Sequence, residues 1–360
     1  MIGPPLRIHF LRVCQTNKNK CVERKVGFGI IGTGNIAKFH ANCIEKISNA
    51  QLLGVLSKSE NRAQQLADHF HCPVFWEMDQ LLAVAGIEVI CICNESGLHG
   101  ATIEQVAKAG KNILCEKPLE ITVQKIDQIT EVVNHSGVKL GCVFQNRENP
   151  EYQKLKGYVR EGVLGKLLLC QTGINWYRPP GYYENSWRGT HVMDGGAAFI
   201  NQGIHTIDLM LDLMGDLSEV SGFIDTLHHA IEGEDVGVAA LKFKSGALGT
   251  LSCGTALFPG EPEYITLYGS SGNVCFRGGK IVSSSIDSIH RELNAFQNET
   301  GTGASDPMAI SDQFHIEVIK DMIDAVTHDK APMVNTNEAK KSVALINAIY
   351  QSKGNRIKLS

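Results

Sequence analysis

Much that would mark a specialised chain is missing from these 360 residues. No CxxC pair and no HExxH motif occurs, and the close histidine pairs, His69-x-His71 and His228-His229, have no further ligands at zinc-finger spacing, so no metal site is expected. The eleven cysteines are odd in number and irregularly spaced, and Cys91, Cys93, Cys115 and Cys142 sit inside apolar runs. That argues against a disulfide framework and for free thiols in a reducing cytoplasm. A run of eighteen uncharged apolar residues is also lacking, which excludes a transmembrane helix on length. Positive charge is not in excess: 34 Lys plus Arg against 38 Asp plus Glu give −4, so neither nucleic acid nor anionic lipid is an expected partner. What is present is an ordinary globular composition, 43% hydrophobic and 20% charged. At roughly 150 residues per domain the length suggests two domains.

Residues 1–24 carry Arg7, Arg12, Lys18, Lys20 and Arg24 against a single acid, Glu23, without periodicity, and read as an N-terminal extension. They lack the apolar core of a secretory leader and the Ser-rich amphipathic pattern of an organelle leader. From Lys25 short apolar runs alternate with helical segments: Val26 to Ile31, Leu52 to Leu56, Val89 to Cys93, Asn112 to Cys115 and Leu140 to Phe144. Buried strands alternating with helices form βαβ units, and right-handed crossovers lead to a doubly wound parallel sheet, expected over residues 25–146. After Pro150 longer strands separated by Gly-bearing turns predict an antiparallel sheet within an α+β domain, residues 147–360. Ser288 to Asp306 is polar and reads as a long loop, and helical spacing returns in Ile310 to Thr327 and Thr336 to Tyr350.

Gly32-Thr33-Gly34-Asn35-Ile36-Ala37 fits G-x-G-x-x-G/A directly after a strand and at the start of a helix. Gly32 permits the sharp turn, Gly34 removes the Cβ that would obstruct a pyrophosphate, and Ala37 lets helix and strand pack closely. The exposed N–H groups of the first helical turn attract phosphate. The end of the second strand reads Ser57-Lys58-Ser59, where an NAD site usually places an acid for the ribose 2′-hydroxyl. A serine and a cation suit a 2′-phosphate better, so the reading leans to NADP over NAD. The fourth strand runs into Glu116-Lys117-Pro118, at the edge where this architecture binds ligands, and an ammonium there can stabilise negative charge on an oxygen. In Asp194 to Asp208 glycines precede Asn201 and His205, whose spacing of four puts both on one helix face. Histidine is suited to moving a proton near neutral pH.

Taken together, Gly32 to Ala37, Ser96-Gly97-Leu98-His99, Glu116-Lys117-Pro118 and Gly195 to Asp208 resemble the glucose–fructose oxidoreductase, inositol dehydrogenase and rhizopine-catabolism (Gfo/Idh/MocA) family. The resemblance implies a Rossmann domain followed by an α/β domain whose open sheet forms the interface of a homo-oligomer. It makes Lys117 and His205 the catalytic pair, with Asn201 orienting His205 or a second hydroxyl. Cofactor contacts follow at Gly32, Thr33, Gly34, Asn35, Ile36, Ser57, Lys58, Asn94, His99, Glu116, Lys117 and Gln145. Two departures stand out: Asn201 replaces an Asp of many members, and Cys93-Asn94-Glu95 replaces a frequent Thr-Pro. Phe144 to Arg147 and Trp176 to Thr190 are similar to members that oxidise nucleotide-linked aminouronic sugars at C3. Arg147, Tyr183, Trp187, Arg188 and Asn201 are the implied substrate contacts, with Arg147 or Arg188 meeting a carboxylate or phosphate. The expected activity is interconversion of a secondary alcohol and a ketone on a sugar. A glycoside hydrolase acting by transient oxidation and a non-catalytic nucleotide-binding protein are the alternatives.

Overall fold

The computed structural model describes residues 24–184, 186–293 and 312–359. The N-terminal extension therefore lies outside the described residues, except Arg24, which pairs with Glu88. The first lobe runs β1 (Val26–Ile31), α1 (Asn35–Glu45), β2 (Ala50–Leu56), α2 (Glu60–Phe70), β3 (Val74–Phe75), α3 (Met78–Leu82), β4 (Ile87–Ile92), α4 (His99–Lys108), β5 (Asn112–Cys115), α5 (Val123–Ser136) and β6 (Leu140–Cys142). Its six strands lie in the order β3-β2-β1-β4-β5-β6, all parallel. All six residues of β1 are buried, the burial on both faces that makes such strands continuous apolar runs in sequence. The order reverses between β1 and β4, which opens a crevice at the strands' carboxyl ends. That crevice receives the glycine turn, the Cys93-Asn94 segment and Lys117.

The second lobe continues with α6 (Pro150–Arg160), β7 (Leu167–Asn175), α7 (Ile204–Met214), β8 (Leu217–Asp225), β9 (Val236–Phe243), β10 (Leu248–Gly254), β11 (Tyr264–Gly269), β12 (Gly272–Arg277), β13 (Lys280–Ser284), α8 (Asp287–Leu293), α9 (Asp312–Thr327), α10 (Thr336–Ser352) and β14 (Ile357–Lys358). Eight strands form one sheet, β13-β12-β11-β7-β10-β9-β8-β14. It is mostly antiparallel, but β7 and β10 pair in parallel at its centre, which the hairpin spacing did not suggest. In β9 burial alternates residue by residue, so one face of the sheet is packed and the other is open. Helices α7 and α10 take the packed face: Ile207, Met210, Val343, Ile346 and Ile349 share a core with Leu241, Phe243 and Leu251.

Two expectations need correction. Ser288 to Leu293 belong to α8, where Ile286, Ile289 and Leu293 recur at helical spacing against the sheet; residues 294–306 of the expected loop lie outside the described residues. The chain also does not divide in space at one point, because Ile316, Ile319, Met322 and Ile323 of α9 are built into the core of the first lobe beside Ala37, Ala41 and Ile44 of α1.

Candidate active site

The glycine turn is shaped by backbone requirements. Gly32 has φ +109, and a Cβ there would come within 2.6 Å of the carbonyl oxygen of Cys93. Gly34 has an ordinary φ of −74, and a Cβ on it would meet nothing within 4 Å. Its missing side chain thus leaves open space in front of α1, whose N-terminus has no side-chain cap, while Asn35 is exposed and Ile36 half-buried. The hydroxyls of Thr33 and Ser57 meet at 2.6 Å, tying the turn to the end of β2. Ser57 is buried and Lys58 exposed. Across the crevice Asn94 donates to Thr102, which leaves Asn94 Oδ1 buried without a partner, and Gln145 Oε1 is in the same state. An uncapped helix N-terminus beside open space and two orphaned carbonyl oxygens just beyond the carboxyl ends of β4 and β6 fit a dinucleotide carrying a carboxamide. His99, by contrast, has both ring nitrogens on main-chain carbonyls, of Pro118 at 2.8 Å and Asn94 at 3.2 Å. It braces the two loops, which corrects its expected place among direct cofactor contacts.

Lys117 leaves the end of β5 and reaches into the second lobe, where Nζ donates to the carbonyl oxygen of Asn201 at 2.7 Å. Asn201 lies in a single π turn, Ala198–Gly203, that leads into α7; His205 follows in the first turn of that helix. The π turn depends on close packing at the glycines before it: a Cβ on Gly195, at φ +81, would approach Ile121 to 2.6 Å. Burial holds the His205 imidazole well below its ordinary range, and the nearby Lys117 charge pushes the same way. His205 Nδ1 is buried without a partner. Burial likewise lowers Lys117 from 10.5, opposed by the carboxylates of Glu116 and Asp194. The Lys117 ammonium of one lobe is therefore bonded to the segment of the other lobe that carries the uncharged His205 imidazole.

Of the two roles read for Asn201, orienting His205 or a second hydroxyl, the first is not seen in its bonding. Asn201 Nδ2 donates instead to Asp194 Oδ1 at 2.8 Å, and Asp194 Oδ2 accepts the Gly189 N–H at 2.8 Å. No role was read for Asp194 in the sequence, where its only signal was an acid directly before a glycine pair. Behind Lys117, Glu116 Oε1 accepts from His40 Nε2 at 2.7 Å. Burial works against the His40 charge, but Cys91 and Glu116 outweigh it and raise His40 to about 10; Glu116, with burial likewise outweighed, falls to about 2. The pair is a buried ion pair, and with His315 it forms the one group of metal-ligand spacing among the described residues. Spacings of 76 and 199 residues hid that cluster, although His40 occupies a core-facing position of α1 between Ala37 and Ala41.

On the substrate side, Arg188 lies over the rings of Trp187 and Tyr182, both at 5.1 Å, and borders an open cavity of about 330 Å³ with Tyr183, Ser186, Thr190, Ile231 and Glu232. Tyr183 is mostly buried and donates to Thr255 at 2.9 Å. Arg147 departs from expectation. Its guanidinium meets both oxygens of Asp208 at 2.8 Å and Glu338 at 3.3 Å, and only 4% of the residue is exposed. It joins the start of the second lobe to α7 and α10 and is no longer a candidate for meeting a substrate anion.

Two family models match the chain: an oxidoreductase family with an NAD-binding Rossmann fold over residues 26–144 and the GFO/IDH/MocA C-terminal domain over residues 152–275. The chain is similar to myo-inositol 2-dehydrogenase of Thermotoga maritima, 25% identical over 68% of this chain and 73% of that one. Similarity to inositol 2-dehydrogenase of Rhizobium meliloti is 27% over 72% and 78%. Among solved structures, the WlbA dehydrogenase from Bordetella pertussis in complex with NADH and UDP-GlcNAcA superimposes with a TM-score of 0.85 at 29% identity, covering 94% of this chain and 99% of that one. With both domains matched, in order and on the fold described above, the chain belongs to the Gfo/Idh/MocA family of NAD-binding oxidoreductases.

Proposed function

We propose that this oxidoreductase interconverts a secondary alcohol and a ketone on a pyranose sugar, with C3 of a nucleotide-linked sugar as the substrate position. The observation that carries the reading is the meeting of Lys117 with the Asn201–His205 segment across the crevice. A bound nicotinamide dinucleotide, held by the Gly32–Ile36 turn, Asn94 and Gln145, would accept or return the hydride. His205, uncharged at neutral pH, removes the hydroxyl proton in the oxidative direction. Lys117 holds the same oxygen and offsets its developing charge. Arg188 with its aromatic neighbours Trp187 and Tyr182 suits an anionic group attached to a sugar ring. The 29% identity with a dehydrogenase crystallised with NADH and UDP-GlcNAcA supports that class of substrate.

The test is Lys117→Ala with UDP-linked aminouronic sugars. Turnover followed by reduced-nicotinamide absorbance is expected to fall about 100-fold or more, with dinucleotide affinity nearly intact. Unchanged turnover removes Lys117 from the mechanism, and release of an aglycone without accumulation of reduced nicotinamide replaces the dehydrogenase with a hydrolase. The preference for NADP rests on exposed Lys58 alone, since Ser57 is turned inward to Thr33. It requires an NADP Kd about tenfold below that for NAD, a difference of about 1.4 kcal/mol; equal or reversed values withdraw it. The open face of the second sheet presents two exposed apolar rows, Phe223 opposite Val238 across β8 and β9, and Leu248 and Tyr268 on either side of Leu169 of β7, and we assign it to contact with a second copy, to be checked by sedimentation. Free thiols at the described cysteines, eight of them buried, support a reducing compartment.

A further inference from the structure

Asp194 is a fully buried carboxylate that the reaction as derived does not use. It lies at the junction of three parts of the site. Its Oδ2 accepts from Gly189 in the loop that carries Trp187 and Arg188, its Oδ1 accepts from the Asn201 amide in the π turn, and its charge reaches Lys117 from the first lobe. Gly189 N–H is fixed by the backbone, so the carboxylate is anchored on one side and free to impose its chemistry on the other. An ionised carboxylate can only accept hydrogen bonds. The amide of Asn201, a half-buried residue, must therefore turn its nitrogen towards Asp194, and this turns its oxygen away from that carboxylate.

We propose that Asp194 is a positioning residue of the reacting centre: it locks Asn201 with its amide oxygen presented as a hydrogen-bond acceptor for a substrate hydroxyl, in the same turn whose main-chain carbonyl receives Lys117, and it stands with Glu116 as one of two carboxylates whose charge acts on that lysine. Burial itself opposes that charge and lifts Asp194 to about 6, with the Gly189 and Asn201 bonds and the charges of Lys117 and Arg188 holding it from rising further. The groups facing it are therefore Lys117, Arg188, Asn201 and the Gly189 N–H, with Tyr183 and Tyr350 as the neighbouring phenols. This carboxyl, held against burial, ties the Asn201 amide of the π turn to the Gly189 N–H of the Trp187–Arg188 loop.

The inference rests on the roles proposed above for Lys117 and His205, and its test separates the two. Asp194→Asn keeps the shape and the acceptor for Gly189 but removes the charge and frees the Asn201 amide to flip. It is expected to lower kcat about 10- to 100-fold with dinucleotide Kd unchanged. It should also move the alkaline limb of the pH–rate profile to lower pH, because Lys117 loses a negative neighbour. Asn201→Asp alone puts two carboxylates in contact and is also impaired. The double variant D194N/N201D transposes amide and carboxylate, restores one hydrogen bond and one charge, and is expected to recover kcat at least tenfold over D194N, a gain of about 1.4 kcal/mol in the barrier. Wild-type kcat and pH limb in D194N overturn the proposal, as does a double variant no better than the singles or unable to fold. If D194N does not fold, the double variant decides alone. A Lys117→Ala enzyme that retains turnover instead removes the reading on which the inference rests, and then D194N has no catalytic meaning.

Discussion

Replacing Arg147 with Met tests the structural role that displaced the expected substrate contact. Arg147 faces three acids, but they are not equally dependent on it. Asp212 keeps Lys156 and the Tyr152 hydroxyl, and Glu338 keeps Lys341, whereas both oxygens of buried Asp208 are on Arg147. The variant thus leaves one carboxylate buried without its cation, which costs about 3–5 kcal/mol, roughly two to four powers of ten in the folding equilibrium. The loss has a pH signature. Burial already raises Asp208 to about 6 against the downward pull of Arg147, so without that pull its folded pKa rises further above the unfolded value. A carboxyl with a raised folded pKa destabilises the native state at high pH and is relieved as pH falls through that pKa. The deficit in urea midpoint, at unchanged m, is therefore expected to be largest near pH 8 and smaller near pH 5. A variant with wild-type urea midpoint and a substrate KM raised about tenfold, worth about 1.4 kcal/mol of binding, would refute this and return Arg147 to the substrate.

Gly34→Val places a side chain in space that is otherwise open, at a φ that valine tolerates, so its thermal midpoint should match wild type while dinucleotide Kd rises about tenfold or more. Calorimetry with titration of the dinucleotide shows both, and retained affinity removes the turn from the cofactor site. His40→Gln should flatten the alkaline part of the stability profile. The raised His40 pKa gives stability that is full below 6.5 and lost as pH rises towards about 10, so the wild-type midpoint declines over that window and the variant's declines less. Parallel profiles would mean that the imidazole is not charged in the fold. The alkaline limb of kcat/KM is expected below the ordinary lysine value of 10.5, because burial lowers Lys117; a limb at or above it would contradict the ammonium's burial.

Legibility in the sequence followed the range of the interaction. The strands of the first lobe are uninterrupted apolar runs because both faces are covered, and the glycine turn is local, so both could be read directly. Strands β3 and β14 have two residues each and carry no period. The parallel pairing of β7 with β10 joins segments about eighty residues apart, and the hairpin turns around them point to antiparallel neighbours. Lys117, His205 and Asn201 were found through motifs, but their bonding was not: spacing put Asn201 and His205 on one face, while the π turn and the buried Asp194 direct the amide elsewhere. Arg147 looked like an anion receptor because its three carboxylates lie 61 to 191 residues further along the chain.

The return of α9 to the first lobe has a mechanical consequence. The polypeptide leaves the first lobe after β6, is packed into it again in α9, and runs through the short link at residues 328–335 into α10, which lies against α7 and β8 of the second lobe and against α5 of the first. Displacing one lobe from the other therefore has to shear packed helix faces as well as bend the connecting links.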